Sequence, residues 1–331
     1  MQVISHYQDL SKDARGAVLV IGNFDGVHRG HAKVIERGRD IATSLVAPLA
    51  VMAFEPHPRE FFAPKAPSFR LTMPETRARL LERHGVDIAF ILAFDKAFAA
   101  MEARTFVGEV LADGLGVAHV VVGYDFCFGK ARKGDADLLK QMGDELGFGV
   151  TIIDPVLSGA GDDEAFSSTR IRDALKDGRP DLAAKLLGHW WAIEGEVKKG
   201  DQVGRTMGFP TVNVDLGRYL HPKFGIYAVK VEVLNGPHAG TYNGAASMGW
   251  QPTFKKDEPL FETFLMDFEG DLYGAELAIS LIAYLRPEEK YEGLEDLKVA
   301  IEKDVVAAMK ILGELKANPS AVPWADEGGI G

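Results

Sequence analysis

The first half of the chain alternates short, continuous apolar runs with segments of helical periodicity. Strands that are apolar on both faces are typical of a parallel sheet covered by helices on both sides. Between two of the runs, Thr72-Met73-Pro74-Glu75 forms a capping box, and Gly85 follows the helix that it opens. The pattern predicts a β-α-β domain whose ligands bind beyond the carboxyl ends of the strands. The apolar runs are residues 17–21, 49–54, 88–93, 118–122 and 150–153.

From about residue 187 the pattern changes to polar and apolar residues in alternation, in segments separated by Gly, Pro, Asn and Asp. This alternation, clearest at residues 226–233, 263–268 and 277–284, predicts an antiparallel barrel or sandwich. After Leu294, apolar residues recur at spacings of three and four, which predicts one amphipathic helix that plugs or flanks the barrel. The recurring residues are Leu297, Ile301, Val305, Ala308 and Leu312.

Composition narrows the class of protein. The 331 residues suit two domains, and 47% apolar with 26% charged residues suits soluble globular domains with sizeable cores. A net charge of -11 argues against nucleic acid or an anionic membrane as the main partner. The single cysteine, Cys127, excludes internal disulfides and fits a reducing cytoplasm. We see no signal peptide and no apolar run of about 18 residues. We therefore expect a cytoplasmic protein with small-molecule partners, and self-association into a homo-oligomer stays open.

The first candidate for chemistry directly follows the first apolar run. Residues 22–31 are Gly-Asn-Phe-Asp-Gly-Val-His-Arg-Gly-His, followed by a helical pattern. Glycines let the backbone approach a phosphate, and a helix N-terminus offers free N–H groups and the positive end of its dipole. His28 and His31 can then donate hydrogen bonds to phosphoryl oxygens whose charge grows in the transition state. Two exposed histidines near a helix cap are the plain alternative, but the strand-loop-helix context favours a phosphate site.

This string resembles that of the His-x-Gly-His nucleotidyltransferases, specifically the adenylyltransferase domain of bacterial bifunctional riboflavin kinase/FAD synthetases. Three further segments agree: residues 54–58 (Phe-Glu-Pro-His-Pro), 122–129 (Val-Gly-Tyr-Asp-Phe-Cys-Phe-Gly) and 167–172 (Ser-Ser-Thr-Arg-Ile-Arg). The resemblance implies that His28, His31 and Arg172 are catalytic. The nucleotide contacts that it implies are Gly22, Phe24, Asp25, Gly26, Gly30, Ser168 and Thr169. The flavin contacts that it implies in this domain are Pro56, His57, Pro58, Asp125 and Phe128.

These segments also have structural alternatives. Residues 56–58 could form a rigid turn, and Asp125, where the family has Asn more often, could cap a strand end. Ser168 and Thr169 are ordinary N-cap residues. A helix start that carries Thr169 and Arg172 nevertheless suits a triphosphate, because a guanidinium offers two parallel, charge-assisted hydrogen bonds.

The second candidate lies at residues 200–213, Gly-Asp-Gln-Val-Gly-Arg-Thr-Met-Gly-Phe-Pro-Thr-Val-Asn. It resembles the Gly-x-Pro-Thr-Ala-Asn signature of riboflavin kinases, with Val212 where Ala is usual. Thr211 and Asn213, two apart on an extended segment, point the same way and can supply oxygen ligands to Mg²⁺. Without the resemblance, a tight loop entering a strand would explain the segment. The resemblance implies that four residues close over the ATP phosphates: Gly204, Arg205, Gly208 and Pro210.

The family's catalytic carboxylate matches Glu262, which we expect to face inward beside the Mg²⁺ site and to act as the base for a flavin hydroxyl. By alternation alone, Glu262 fits an exposed strand face equally well. Arg286 matches another family segment and is predicted to contact flavin or, alternatively, the nucleotide, and a plain turn would also explain the segment. Residues 247–249 (Ser-Met-Gly) and 188–191 (Gly-His-Trp-Trp) depart from the family's Asn-Ile-Gly and Gly-Arg-Pro-aromatic, which weakens contact predictions there.

The resemblance thus implies a two-domain enzyme of flavin cofactor synthesis. Residues 1–186 are expected to form a Rossmann-like α/β nucleotidyltransferase domain with a parallel sheet, and residues 187–331 an antiparallel β-barrel riboflavin kinase domain with a C-terminal helix. The second domain would phosphorylate riboflavin to FMN, and the first would transfer AMP from ATP to FMN, giving FAD and pyrophosphate. Both steps would require Mg²⁺.

Two other assignments fit the sequence less well. One is a nucleotidyltransferase acting on nicotinate or pantetheine phosphates, which has no reason to carry the motif around Thr211 and Asn213. The other is a flavin-sensing or flavin-storing module, which the intact His28, His31, Asn213 and Glu262 disfavour.

Overall fold

The computed structural model describes residues 1–157, 164–198, 209–249 and 259–317. Their contacts divide the chain into two compact units. The first unit comprises Met1–Pro67 and Pro74–Phe166, and the second comprises Ser68–Met73 and Ser167–Gly331. Within the described ranges, no helix combines the length and the apolar character needed to cross a bilayer.

The first unit is built on a parallel sheet of strand order β1-β4-β3-β2-β5-β6. The five predicted strands are confirmed, and a short edge strand, β1, is added. The chain goes from β2 to β3 and β4 on one side, and then to β5 and β6 on the other. Strand order therefore reverses beside β2, and such a switch point is where α/β sheets bind ligands. The strands are β1 Gln2–Ile4, β2 Val18–Ile21, β3 Leu49–Glu55, β4 Ile88–Ala93, β5 His119–Gly123 and β6 Gly149–Ile153.

Helices cover both faces of this sheet. Leu19 and Ile21 of β2 belong to one core cluster, and Val18 and Val20 to another. Two separate cores explain why the strands are continuously apolar. One helical segment, Phe106–Leu115, is π-helical and directly continues α5. The α-helices are α1 Arg29–Leu45, α2 Pro58–Phe62, α3 Pro74–Arg83, α4 Lys96–Ala99, α5 Ala103–Thr105 and α6 Ala136–Leu146.

The second unit contains an antiparallel, curled sheet of strand order β7-β12-β9-β10-β11-β8. A bridge between Lys198 and Asn213 brings its first and last strands together. The predicted barrel with a C-terminal helix is therefore confirmed: α9, Leu294–Ala317, packs Ala308 and Leu312 on the outer face of the sheet. The strands are β7 Ala192–Glu196, β8 Thr211–Val214, β9 Gly225–Val233, β10 Gly240–Gly249, β11 Leu260–Leu265 and β12 Glu276–Arg286.

The alternating segment predicted at residues 263–268 is shifted in the structure. Strand β11 ends at Leu265, and Asp267 has a left-handed φ of 54°. A left-handed residue cannot continue a pleated strand, so the chain turns there.

Helices α7 (Ser168–Lys176) and α8 (Pro180–Leu187) group with the barrel, and so does Ser68–Met73. That segment is held by backbone hydrogen bonds, from Arg70 N to Arg218 O (3.2 Å) and from Leu220 N to Arg70 O (2.8 Å). The division of functions between residues 186 and 187 stays a prediction, because contacts describe packing and not activity.

Candidate active sites

His28 and His31 lie together at the start of α1. His28 is the N-cap, and its Nδ1 accepts a hydrogen bond from the backbone N–H of His31 at 3.3 Å. Because Nδ1 accepts, the donor of this ring is Nε2. The two imidazoles stack, with centroids 3.7 Å apart and an interplanar angle of 19°. Both rings are thus placed at the positive end of the helix dipole, where anions bind.

The absence of a side chain at Gly30 leaves room for the His28 ring to lie against the helix. A Cβ at Gly30 would lie 3.1 Å from Cε1 and Nδ1 of His28 and 3.0 Å from Cβ of Phe166. Any side chain here would displace the imidazole, so the glycine is required by close approach.

The loop between β2 and α1 is strained. Phe24, Gly26 and Val27 have left-handed φ values of 50°, 89° and 42°. For residues with a Cβ this conformation costs about 1–2 kcal/mol each. Phe24 and Val27 are each only 1% exposed, and burying such side chains stabilises by about 1.5–3 kcal/mol. Burial therefore offsets the strain and holds the loop in its unusual shape.

Two more predicted residues lie in this loop. The Phe24 ring is tilted against His31, with centroids 5.2 Å apart, and a Cβ on Gly22 would come within 3.3 Å of it. Asp25 is 4% exposed. The loop thus supplies an aromatic ring beside His31 and one buried carboxyl group.

The segment after β3 uses a histidine in the same way as the segment after β2. His57 is the N-cap of α2, and its Nδ1 accepts a hydrogen bond from Arg59 N at 3.1 Å. Pro58 is the first residue of that helix, and Pro56 precedes His57. The turn predicted at residues 56–58 is therefore present, and the backbone of Arg59 already occupies one nitrogen of the imidazole.

Arg77 holds the loop that carries the candidate site, and sequence reasoning missed it. It is 2% exposed, its Nη1 donates to Asn23 O at 3.3 Å, and its Nη2 lies 3.4 Å from the Glu55 carboxylate. It therefore ties the loop after β2 to the end of β3. The available signal was its spacing of four from Leu81, which puts both on one helix face, but an arginine in an amphipathic helix normally faces solvent.

A connected row of phenylalanine rings lies around the carboxyl ends of β3, β4 and β5. Neighbouring centroids are 5.2–6.0 Å apart. The row runs from Phe62, which is 69% exposed, to the predicted Phe128, which is 7% exposed. Asp125, exposed just beyond β5, is near its far end. The row consists of Phe54, Phe61, Phe62, Phe94, Phe98, Phe106, Phe126 and Phe128.

At the start of α7, the N-cap is Ser167, whose Oγ accepts a hydrogen bond from Arg170 N at 3.3 Å. The interpretation of Ser168 and Thr169 as N-cap residues is therefore wrong, since both lie in the first turn. Arg172 is held from one side, because its Nε donates to Phe69 O at 2.8 Å and its guanidinium carbon lies 5.2 Å from the Phe69 ring centroid.

In the barrel, the predicted residues form a row across three strands. Glu262 of β11 is directly opposite Asn213 of β8 on one side and Ser247 of β10 on the other. Directly paired residues project from the same face of a sheet. The opposite face carries Phe261 and Thr263, both 0% exposed, and forms the barrel interior.

The expectation that Glu262 faces inward is therefore wrong. It projects from the outer face, which also carries Phe264, a member of the cluster packed against α9. Its position beside Asn213 follows from the strand pairing.

Asn213 suits a hard cation. It is 8% exposed, and no donor among the described residues reaches its Oδ1. Thr211 lies two residues earlier on the same face, after the exposed Pro210. The described residues contain no cluster of three or more His, Cys, Asp or Glu side chains able to hold a metal. A magnesium ion held by few protein oxygens and completed by substrate phosphates fits this donor set. Gly204, Arg205 and Gly208 lie outside the described residues.

Arg286 is bound within the second unit. Its Nε and Nη2 donate to the two carboxylate oxygens of Asp304 on α9 at 2.8 and 2.7 Å, and its Nη1 donates to Pro287 O. These hydrogen bonds from the guanidinium to Asp304 raise the pKa of Arg286. The residue joins the end of β12 to the C-terminal helix.

A second carboxylate lies over the outer face near Glu262. The Glu288 carboxylate occupies the place where a Cβ of Gly249 would be, two residues beyond Ser247. Burial raises the pKa of Glu288. Sequence reasoning missed Glu288, since only the absence of a side chain at Gly249 makes room for it.

Comparison with known proteins matches two families to successive parts of the chain. The FAD synthetase family matches residues 10–170, and the riboflavin kinase family matches residues 187–312. The bifunctional riboflavin kinase/FMN adenylyltransferase of Pseudomonas fluorescens is 40% identical, over 97% of this chain and 99% of that protein. The protein of the same name from Escherichia coli (strain K12) is 39% identical, over 96% and 99%.

A solved structure extends the likeness to the fold. It is described as a macrolide-efflux protein from Streptococcus pneumoniae, and it superposes with a TM-score of 0.81 at 30% identity. The match covers 93% of this chain and 99% of that one. Both parts of the fold are therefore shared with that protein.

Proposed function

The chain belongs to the family of bifunctional riboflavin kinases/FMN adenylyltransferases, and on this premise we propose which of its residues carry each reaction. The enzyme phosphorylates riboflavin to FMN and then adenylylates FMN to FAD. The observation that carries the assignment of residues is that each family match contains one group of polar side chains brought together by the fold.

Adenylyl transfer is assigned to the site at the start of α1. An oxygen of the FMN phosphate attacks the α-phosphorus of ATP, a new P–O bond forms, and the bond to the departing pyrophosphate breaks. Nε2 of His28 and the imidazole of His31 donate hydrogen bonds to the oxygens on which charge grows. Gly22, Phe24, Asp25, Gly26 and Gly30 line the approach of the nucleotide.

The flavin of this reaction is assigned to the phenylalanine row and the turn beside it. Exposed aromatic edges next to buried ones offer a stacking surface for a flat, polar-edged ring. Pro56, His57 and Pro58 border that surface, and Asp125 with Phe128 lies at its other end. We retain Ser168, Thr169 and Arg172 as proposed phosphate contacts, because first-turn N–H groups and a fixed guanidinium suit an anion.

Riboflavin phosphorylation is assigned to the outer face of the barrel. The flavin 5′-hydroxyl attacks the γ-phosphorus of ATP, a new P–O bond forms, the bond from the γ-phosphorus to the bridging oxygen breaks with ADP as the leaving group, and Glu262 accepts the hydroxyl proton. Mg²⁺, which we propose both reactions require, neutralises charge on the ATP phosphates when bound. Thr211 and Asn213 would hold it, as the buried Oδ1 of Asn213 supports. Gly204, Arg205, Gly208 and Pro210 are retained as phosphate contacts, and Arg286 as a flavin contact.

We propose residues 1–186 and 187–331 as the functional division of the chain. A cytoplasmic location is proposed on the single cysteine and the ATP-dependent chemistry. The assignment of His28, His31 and Glu262 depends neither on the cellular location nor on the position of the functional division.

The test of the first site is His31→Ala, assayed with separated flavin products. FAD formation from FMN should fall about 100-fold or more, as loss of one transition-state donor does elsewhere. FMN formation from riboflavin should persist. His6→Ala is the matched control, because His6 is an exposed histidine of the same unit. Normal adenylyl transfer by His31→Ala would show that the His31 imidazole takes no part in the reaction.

A further inference from the structure

Val27 combines two features that rarely occur together. A β-branched residue with φ of 42° is a genuine outlier, because its branched side chain crowds the backbone in the left-handed region. Its side chain is also 1% exposed, within the core cluster that includes Val20, Ile35 and Val51. The buried isopropyl group thus fixes a backbone conformation that valine would otherwise avoid.

A second valine, at the other end of α1, has a similar left-handed backbone without burial. Val46, the C-cap of α1, has φ of 52° and ψ of 43° and is 95% exposed. Left-handed residues are common after a helix, where they end it. Val27 ends nothing, since it precedes the N-cap.

The backbone conformation of Val27 determines where His28, the next residue, is placed. The turn is closed by a hydrogen bond from Val27 N to Phe24 O at 3.2 Å, and the next residue is the histidine that caps α1. A change in the Val27 dihedrals would swing the His28 ring away from the N–H of His31. The cap and the 3.7 Å stack of the two imidazoles would then be lost together.

We propose that Val27 is a positioning residue for adenylyl transfer: its buried side chain holds the left-handed turn that keeps His28 capped on α1, with Nε2 directed at the phosphates. The proposal rests on the proposed role of His28. It assigns to an apolar residue a part in catalysis that acts only through its neighbour.

The test uses three variants of the full-length enzyme. Val27→Gly removes the anchor while permitting every backbone conformation, Val27→Ala shortens the anchor, and Val27→Ile keeps both branching and burial. For Val27→Gly and Val27→Ala, we expect kcat of FMN adenylylation to fall about 10- to 100-fold, which is the loss of rate expected when a catalytic group is displaced. KM for ATP and FMN should change much less, and Val27→Ile should retain most of kcat. Riboflavin phosphorylation, measured on the same samples, should be unchanged.

A double-mutant cycle with His28→Ala separates positioning from general destabilisation. If Val27 acts through His28, adding Val27→Gly to His28→Ala should cause no further loss, because interacting residues are non-additive. Losses that multiply would overturn the proposal. If His28→Ala alone left FAD formation intact, the proposed function of this site would fail instead, so the two failures are distinguishable.

Nitrogen NMR of the His28 ring supplies a readout that stability alone does not move. The Nε2–H tautomer should dominate in the unaltered enzyme and in Val27→Ile, and should lose its dominance in Val27→Gly. Val46→Gly is the matched control, and it should leave both kcat and the tautomer unchanged. If Val27→Gly does not fold, Val27→Ala carries the same cycle. Unchanged kcat in Val27→Ala, or an equal loss in Val46→Gly, would overturn the role of Val27.

Discussion

The two units place polar groups at a site in opposite ways. In the first unit, His28, His31 and His57 follow strand ends and occupy helix N-termini, so each group comes from one short stretch of chain. In the second unit, Asn213, Glu262 and Ser247 come from three strands and meet only through register. In the parallel sheet, the candidate site residues therefore lie close together in the sequence, in loops that follow strands. In the antiparallel barrel, they lie far apart in the sequence and are brought together by strand pairing.

This difference has a consequence for how each site fails. Loops after parallel strands can be damaged one at a time, because each is anchored by its own cap and its own buried residues. A cross-strand row shares the same backbone ladder, and a shift of one residue turns all side chains of a strand to the other face. We expect substitutions in the row to separate chemistry from structure only when they preserve the strand.

The largest effect should come from Glu262→Gln, which keeps size and strand pairing while removing basicity. The rate of riboflavin phosphorylation should fall by roughly 100- to 10,000-fold, the range for lost general bases. Substrate binding should change much less, and supplied FMN should still be adenylylated. Glu232→Gln is the control, because Glu232 is an exposed glutamate on the same outer face. If turnover of Glu262→Gln is unchanged, Glu262 is not the base, and positioning of the metal by Thr211 and Asn213 is the main contribution to catalysis of riboflavin phosphorylation.

The next effect concerns the buried oxygen of Asn213. In Asn213→Ala, the Mg²⁺ concentration that half-saturates riboflavin phosphorylation should rise at least about tenfold, because losing even a group that only orients a metal ligand costs about that much affinity. The Mg²⁺ dependence of FAD formation should stay as it was. Asn243→Ala, at an exposed asparagine of β10, is the matched control. A shift in both reactions would indicate a shared metal and would erase the proposed distinction between the sites.

A smaller effect is expected from Arg286→Lys, because lysine cannot donate two parallel hydrogen bonds to Asp304. The pair is mostly buried, with 22% and 9% of the two side chains exposed, so the second unit should lose about 1–2 kcal/mol of unfolding free energy. The control is Arg179→Lys, whose partner Asp181 is more than half exposed and whose pair should contribute little. Intact stability with a raised KM for riboflavin would instead favour the flavin contact predicted from the sequence.

The smallest effect on activity is expected from Trp191→Phe, which tests whether residues 68–73 contribute to the stability of the barrel. Trp191 is 1% exposed, and its Nε1 donates to Leu71 O at 2.8 Å. Trp191→Phe leaves that carbonyl without its donor, which should cost about 1 kcal/mol or somewhat more, and the smaller ring leaves unfilled space in the core that adds to the loss. Thermal unfolding of the second unit should shift down by a few degrees, while the adenylyl transfer rate at low temperature stays constant. No shift in the unfolding temperature would show that the hydrogen bond is replaced by water.

The sequence was sufficient to predict the parallel sheet and the placement of His28 and His31 together at a helix start, because each depends on contiguous residues. It was insufficient for β10, which contains Gly240, Gly244 and Gly249. Glycines weaken a strand prediction, yet a Cβ at Gly244 would lie 2.7 Å from Phe264 O. The residues that made the strand look unfavourable are those that let its neighbours approach.

The direction of Glu262 could not be predicted for a related reason. Alternation identifies two faces of a strand, but it does not say which one is covered by a helix from elsewhere in the chain. The phenylalanine row was missed because its members are scattered from Phe54 to Phe128. The 19 phenylalanines in the composition were the available signal, but a count does not say which rings meet.

Residues 68–73 bear on how the chain is made and how it can be divided. During synthesis this hexapeptide emerges long before Gly217 and Leu220, whose backbone groups it bonds, so it must wait for about half the chain to leave the ribosome. Closing so long a loop adds little entropic cost, since the cost grows only with the logarithm of length. A gene cut between the two units, after residue 166, would however leave this hexapeptide on the polypeptide of the first unit. Dividing the chain between its two units would therefore remove from the second unit six residues that pack with it.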